Sequence, residues 1–281
     1  MKIALVGKGG VGKTTMTSLL AHHFAVNGRH VLAIDGDPSP CLGPTLGFSD
    51  EQLAKLRPIS DMRELIAERT GADPKKSAGG FFKLNPKVSD LPDRFSVANG
   101  NIELLMLGAV EQGGSGCICP SSALLKQLVN HVIVKRDGVV LLDLYAGVEH
   151  LGRGTAESVD ALLVVAEPTK RSIGTARQIK SLAGDLGIKN IYLVGNKVQS
   201  KADEAFFRDI GVGFELVGCM PSTSEVMIAD RTGGILYELS TDMAAVTANI
   251  ATQIEQMDAP NEACFCGVKD RRLEQKMVGK R

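Results

Sequence analysis

Gly7-Lys8-Gly9-Gly10-Val11-Gly12-Lys13-Thr14 has the spacing GxxxxGK[ST]. Glycines at this density let backbone N–H groups curl around phosphate oxygens where a Cβ would obstruct. Gly9, Gly10, Val11, Gly12, Lys13, Thr14 and Thr15 are therefore the candidate nucleotide contacts. Lys13 would supply charge at the β- and γ-phosphates, and the Thr14 hydroxyl is the candidate Mg²⁺ ligand. With this composition, a chance match anywhere in the chain has a probability of roughly 2%. The spacing predicts a nucleoside triphosphate site.

Such a site needs acids nearby. Asp35-Gly36-Asp37-Pro38 ends an apolar run, and Asp143 ends Val139-Val140-Leu141-Leu142. A carboxylate at the carboxyl edge of a parallel sheet can hold a Mg²⁺-bound water or orient an attacking one. Asp143 has the Walker B context of an acid behind Mg²⁺, and Asp35 is equally suited to cap the turn that follows it. Asn196-Lys197-Val198-Gln199 approaches the NKxD pattern of GTP-binding proteins, but Gln199 lacks the carboxylate that would accept protons from guanine. GTP is therefore disfavoured.

Cys117-Ile118-Cys119 and Cys264-Phe265-Cys266 are both CxC, whereas six cysteines scattered at random would give about 0.1 such pairs. Residues i and i+2 of an extended segment point to one side, so two thiolates can meet one ion. Pro120 suits the first position of a helix, which would place Cys119 where the helix dipole favours a thiolate. One pair supplies two of the four sulfurs that a closed site takes. The simplest completion is a two-fold axis that brings Cys117 and Cys119 from each of two subunits. Four thiolates suit Zn²⁺, Ni²⁺ or an iron–sulfur cluster. Cys264 and Cys266 are read as a transfer site or an adventitious binder, and the isolated Cys41 and Cys219 as buried.

The elements that must position these groups alternate along the chain. Strands are predicted at Lys2–Val6, His30–Asp35, Ile102–Leu107, Val139–Asp143, Ala161–Ala166, Ile191–Gly195 and Gly213–Cys219. Helices are predicted at Thr14–Asn27, Pro120–Lys135, Lys170–Leu186 and Ile235–Gln256. Continuous apolar strands alternating with helices imply βαβ crossovers, so the fold class is α/β with a doubly wound, mainly parallel sheet. Residues 68–101, rich in glycine, asparagine and proline, break the rhythm as a long insertion. A single domain is expected over residues 1–257, with a polar, partly disordered tail over 258–281. The chain of 281 residues carries 32 basic and 32 acidic side chains. That balance argues against bulk nucleic-acid or membrane-surface binding. No apolar run is long enough to span a bilayer, and the amino-terminal run is too short for a signal peptide. A cytoplasmic protein with reduced thiols is expected.

The loop GKGGVGKT, with Lys8 as a second lysine, resembles the deviant phosphate loop of the class containing MinD, the nitrogenase iron protein and metal-insertion ATPases. The resemblance implies that Lys8 reaches a nucleotide held by the partner subunit, and hence a homodimer. It also implies that Asp37 activates water, and that Asn196, Lys197 and Pro221 border an adenine, making the nucleotide ATP. Together with Asp35–Pro38, Phe81-Phe82-Lys83-Leu84-Asn85-Pro86, Gly116–Pro120 and Ala146–Thr155, the sequence to about residue 257 resembles the CooC-type ATPases that supply nickel to carbon monoxide dehydrogenase. This implies Ni²⁺ or Zn²⁺ between subunits at Cys117 and Cys119, a switch over Asp143–Thr155, dimerisation controlled by ATP and Mg²⁺, and carbon monoxide dehydrogenase or a related nickel enzyme as client. His150 lies in that switch and is read as a surface or hydrogen-bonded side chain. Leu144-Tyr145 departs from the more acidic pair expected there. An iron–sulfur reductase or cluster carrier like the nitrogenase iron protein is the alternative. It would want a switch cysteine or a CxxC, and neither is present. A MinD-like positioning ATPase would want an amphipathic membrane-binding end. The last 14 residues instead hold six basic and two acidic side chains with few large apolar ones.

Overall fold

The computed structural model describes residues 1–72, 83–108, 120–131, 137–145, 159–210 and 213–258. In chain order, β1 (Lys2–Val6) leads through the glycine loop into α1 (Lys13–Val26) and β2 (Val31–Gly36). The short helices α2 (Leu42–Thr45), α3 (Asp50–Leu53) and α4 (Arg63–Thr70) follow. Then come α5 (Leu91–Phe95), β3 (Val97–Asn99), β4 (Ile102–Met106), α6 (Pro120–His131) and β5 (Val139–Leu144). The rest of the chain supplies β6 (Ala161–Ala166), α7 (Lys170–Asp185), β7 (Ile191–Val198), α8 (Lys201–Ile210), β8 (Glu215–Pro221), α9 (Glu225–Thr232), α10 (Leu236–Leu239) and α11 (Thr241–Asp258).

Among the described residues, the strands form one sheet in the order β3-β4-β2-β5-β1-β6-β7-β8, parallel except at β3–β4. All seven expected strands are present. The sheet is buried on both faces, which is why β6 is apolar throughout and β1 and β5 are apolar apart from Lys2 and Asp143, rather than alternating. Side-chain alternation still sorts them between two cores. Ala4 and Val6 join Leu124, Leu128, Ile173 and Ile179 on the α6/α7 side. Ile3 and Leu5 join Met16, Leu20, Phe24, Ile250 and Ile254 on the α1/α11 side.

Three expectations needed revision. The helix expected over Ile235–Gln256 is two helices broken at Ser240, which is extended (φ −128°, ψ 102°) and whose carbonyl accepts the Ala244 N–H. Ser240-Thr241-Asp242 is a helix-start signal inside an apolar run, and it prevails over the continuous pattern. The last strand runs over Glu215–Pro221, two residues later than expected at each end. The insertion contains α5 and the antiparallel strand β3, which turns through Gly100 (φ 59°) onto β4. The expected tail lies outside the described residues apart from its first position.

Candidate nucleotide site

The carboxyl ends of β1, β2 and β5 meet at one edge of the sheet. Leu5 and Asp35 are both register partners of Asp143, so the acids ending β2 and β5 sit side by side next to β1, the strand that opens into the glycine loop. Two loop glycines are there by steric necessity. A Cβ on Gly7 would collide with the Val165 carbonyl, and one on Gly12, which starts α1 at φ 94°, would strike the Asn196 amide.

Lys13 is buried, with its ammonium folded onto the Lys8 carbonyl at 3.4 Å. Burial lowers its pKa, while the charges of Asp143 and Asp37 oppose that shift. Asp35 is buried and accepts from the backbone N–H groups of Asp37 (3.0 Å) and Leu42 (3.1 Å). Its carboxylate therefore organises the turn that presents Asp37. Burial raises its pKa, and those N–H bonds pull it back. Asp37 is half-buried and accepts from the Ser39 N–H at 2.8 Å.

Asp143 is the most perturbed acid among the described residues. Burial pushes its pKa up to about 7; the nearby Thr14 hydroxyl and Lys13 ammonium pull it back, while Asp35 and Asp37 add repulsion. Its Oδ1 is buried without a hydrogen-bond partner among the described residues. An orphaned carboxylate oxygen beside a threonine hydroxyl and two further acids is an environment that a divalent cation would relieve. No group of three His, Cys, Asp or Glu side chains among the described residues is arranged to hold a metal alone. Mg²⁺ retains waters and takes phosphate oxygens rather than an all-protein cage.

The other wall comes from β6, β7 and β8. One of the two Asn196 amide hydrogens goes to the Val11 carbonyl (2.7 Å), and its Oδ1 accepts the Lys197 N–H (2.9 Å). Lys197, at φ 59°, donates to the Gly10 carbonyl (2.8 Å) and pairs with Glu167 (2.5 Å). Both residues expected beside the base thus brace the phosphate loop from behind. Pro221 ends β8 opposite Val198, and the Ser222 N–H bonds the Val198 carbonyl (2.8 Å), which closes that corner. Gly9, Gly10 and Lys8 are exposed on the loop's outer side, and Thr14 and Thr15 are half-buried at the start of α1.

Glu167 was missed in the sequence; its signal was an acid at the end of β6, at the same sheet edge as the other strand-end acids. Cys41, expected to be buried, is exposed on the loop after Asp37, while Cys219 is half-buried as an ordinary partial core residue. Tyr145, which ends the described part of the switch, is 46% exposed. Cys117, Cys119, Cys264, Cys266, His150, Phe81, Phe82 and residues 146–155 lie outside the described residues. Among the described residues, no helix is long and apolar enough to cross a membrane.

Residues 3–235 match the family model of the CobQ/CobB/MinD/ParA nucleotide binding domain. The carbon monoxide dehydrogenase accessory protein CooC of Rhodospirillum rubrum is 47% identical over 240 residues, 85% of this chain and 90% of that protein. An uncharacterized ATP-binding protein of Methanocaldococcus jannaschii is 47% identical over 236 residues, 83% of this chain and 90% of its own length. Among solved structures, MinD of Pyrococcus horikoshii complexed with Mg-ADP superposes with a TM-score of 0.63 at 19% identity, over 92% of this chain and 97% of that one. This last likeness speaks to the fold alone. The chain belongs to the CobQ/CobB/MinD/ParA nucleotide-binding family of phosphate-loop ATPases and, within it, groups with the carbon monoxide dehydrogenase accessory protein CooC.

Proposed function

We propose that this protein is an ATP-driven nickel metallochaperone of the cytoplasm. It would hold Ni²⁺, or Zn²⁺ in its place, between two subunits and aid nickel insertion into carbon monoxide dehydrogenase or a related nickel enzyme. The carrying observation is the 47% identity to CooC over 85% of the chain. The Cys117-Ile118-Cys119-Pro120 segment, immediately ahead of a core helix, supports the metal site.

In this reading the loop amides and Lys13 bind the triphosphate, and Asn196 and Lys197 keep the loop in its binding shape. The bordering base is adenine, taken up beside Pro221 with the second amide hydrogen of Asn196. Thr14 would hold Mg²⁺ at the phosphates, with Asp143 behind it; there the ion neutralises charge on the phosphate oxygens. Asp37, on the turn fixed by Asp35, orients the attacking water. Lys8, exposed on the outer side of the loop, reaches the nucleotide of a second subunit. Hydrolysis requires both subunits, so the nucleotide controls assembly and with it the shared thiolate site.

Anaerobic protein supplied with Ni²⁺, Zn²⁺, or ferrous iron and sulfide tests the cargo. Tight Ni²⁺ or Zn²⁺ binding that is lost in Cys117→Ala/Cys119→Ala supports the reading. A stable redox-active four-iron cluster with no nickel binding would overturn it in favour of a reductase or cluster carrier.

A further inference from the structure

The amino-terminal strand begins with a charge in an otherwise apolar run, Lys2-Ile3-Ala4-Leu5-Val6. Lys2 is 4% exposed, yet its ammonium does not reach out to water. It donates to the carbonyls of Val129 (2.9 Å) and Asn130 (3.3 Å), in the last turn of α6. Its backbone N–H donates to Asp160 Oδ2 at 2.6 Å. The last carbonyls of a helix have no partner within the helix, and the partial negative charge there favours a cation. An exposed helix end meets that need with water. Here a buried ammonium does so, although desolvation lowers its pKa and only Asp160 opposes the shift.

The other end of α6 starts at Pro120, the residue after Cys119. Its apolar face, with Leu124, Leu125, Leu128 and Val129, packs in the same core as Ala4 and Val6 of β1. Gln127 adds an exposed hydrogen bond to Asn85 (2.9 Å). We propose that Lys2 is the positioning residue for the Pro120 end of α6, bolting the helix that follows the metal-binding pair in the sequence to the strand that leads into the phosphate loop.

The inference rests on the reading of Cys117 and Cys119 as metal ligands, and the leverage is large. A helix of 12 residues is about 18 Å long, so a tilt of about 10° at its bolted end displaces the other end by about 3 Å. Metal–sulfur distances tolerate only about 0.2 Å. A slack helix therefore spoils a site shared across a two-fold axis, while the nucleotide site, on the far end of β1, is left intact.

Lys2→Met, which keeps the aliphatic stem and removes the charge, tests this in the full-length protein. Zn²⁺ and Ni²⁺ affinity should fall about 10- to 100-fold, in the range of supporting residues at metal sites. Affinity for MgATP and basal hydrolysis should stay within about twofold of the parent, and Lys2→Arg should restore metal binding. Lys2→Gln replaces the Met variant if the latter does not fold. Parental metal affinity in the neutral variants, or no rescue by arginine, would overturn the proposal. Amide hydrogen exchange over residues 120–131 separates it from the metal reading. Faster exchange in the neutral variants supports Lys2 as the anchor even if the parent binds no metal through Cys117 and Cys119. Unchanged exchange contradicts it.

Discussion

Asp35 and Asp143 are register partners on adjacent parallel strands, both buried, yet only one is satisfied by the fold. Asp35 spends both oxygens on the backbone of the turn that carries Asp37, whereas Asp143 leaves Oδ1 without a partner among the described residues. The pair divides a structural task from a chemical one: Asp35 shapes the turn, and Asp143 offers an oxygen whose burial a cation would relieve.

That division predicts a proton exchange. With its pKa at about 7, Asp143 is mostly protonated at pH 6 in the free protein. Mg²⁺ with ATP, in the proposed role, takes the carboxylate, so isothermal titration in buffers of differing ionisation enthalpy should record more proton release at pH 6 than at pH 8. The sign for stability is the opposite of a salt-bridged acid. Because the folded pKa lies above the unfolded one, the free protein loses stability as pH rises from about 4 to 7 and levels off above that. Asp143→Asn should abolish both dependences.

Lys8 and Lys13 should separate by kinetic parameter. Removing Lys13, buried in the loop and proposed to bind the phosphates, should lower kcat about 100-fold or more and weaken ATP binding. Lys8→Ala should leave ATP affinity within about twofold while kcat falls comparably, because the nucleotide it is proposed to reach is that of the other subunit. Equal losses of ATP affinity in both variants would contradict the assignment.

Asn196→Ala removes the donor to the buried Val11 carbonyl and opens space beside Gly12. An abandoned buried acceptor costs about 1–3 kcal/mol. Chemical denaturation should show a loss in that range, and ATP should bind more weakly through the loosened loop. Gly12→Ala should be worse, since it combines a clash with a left-handed backbone (φ 94°).

Arg69 and Asp90 form a two-pronged ion pair at 3.0 and 2.7 Å that ties α4 to the segment leading into α5. The Arg69 guanidinium holds the Asp90 carboxyl down at about 2. Its contribution is complete above the unfolded carboxyl range and is lost as pH falls through about 2. The stability difference between the parent and Asp90→Asn, followed by thermal unfolding, should therefore shrink steadily between pH 5 and pH 2.

The parts legible in the sequence were those with a local cause. GKGGVGKT is a backbone requirement written in glycines, and the apolar runs ending in Asp35 and Asp143 marked buried parallel strands with their functional ends. What stayed hidden depended on contacts between distant segments. The bracing role of Asn196 comes from a loop 185 positions away in sequence. Lys2 meets α6 across 127 positions and reads locally as a charge before a strand. Ser240 split a helix because a start signal outweighed a continuous apolar pattern, a competition that periodicity alone does not resolve.

The proposed metal site is completed by two subunits and governed by nucleotide. Sedimentation of the anaerobic protein with bound metal quantified, with and without MgATP, tests it most directly. We expect one Ni²⁺ per two subunits, a monomer–dimer shift linked to metal and ATP, and loss of the metal in Cys117→Ala/Cys119→Ala. One metal ion per monomer, with no change of mass on adding metal or ATP, would contradict it.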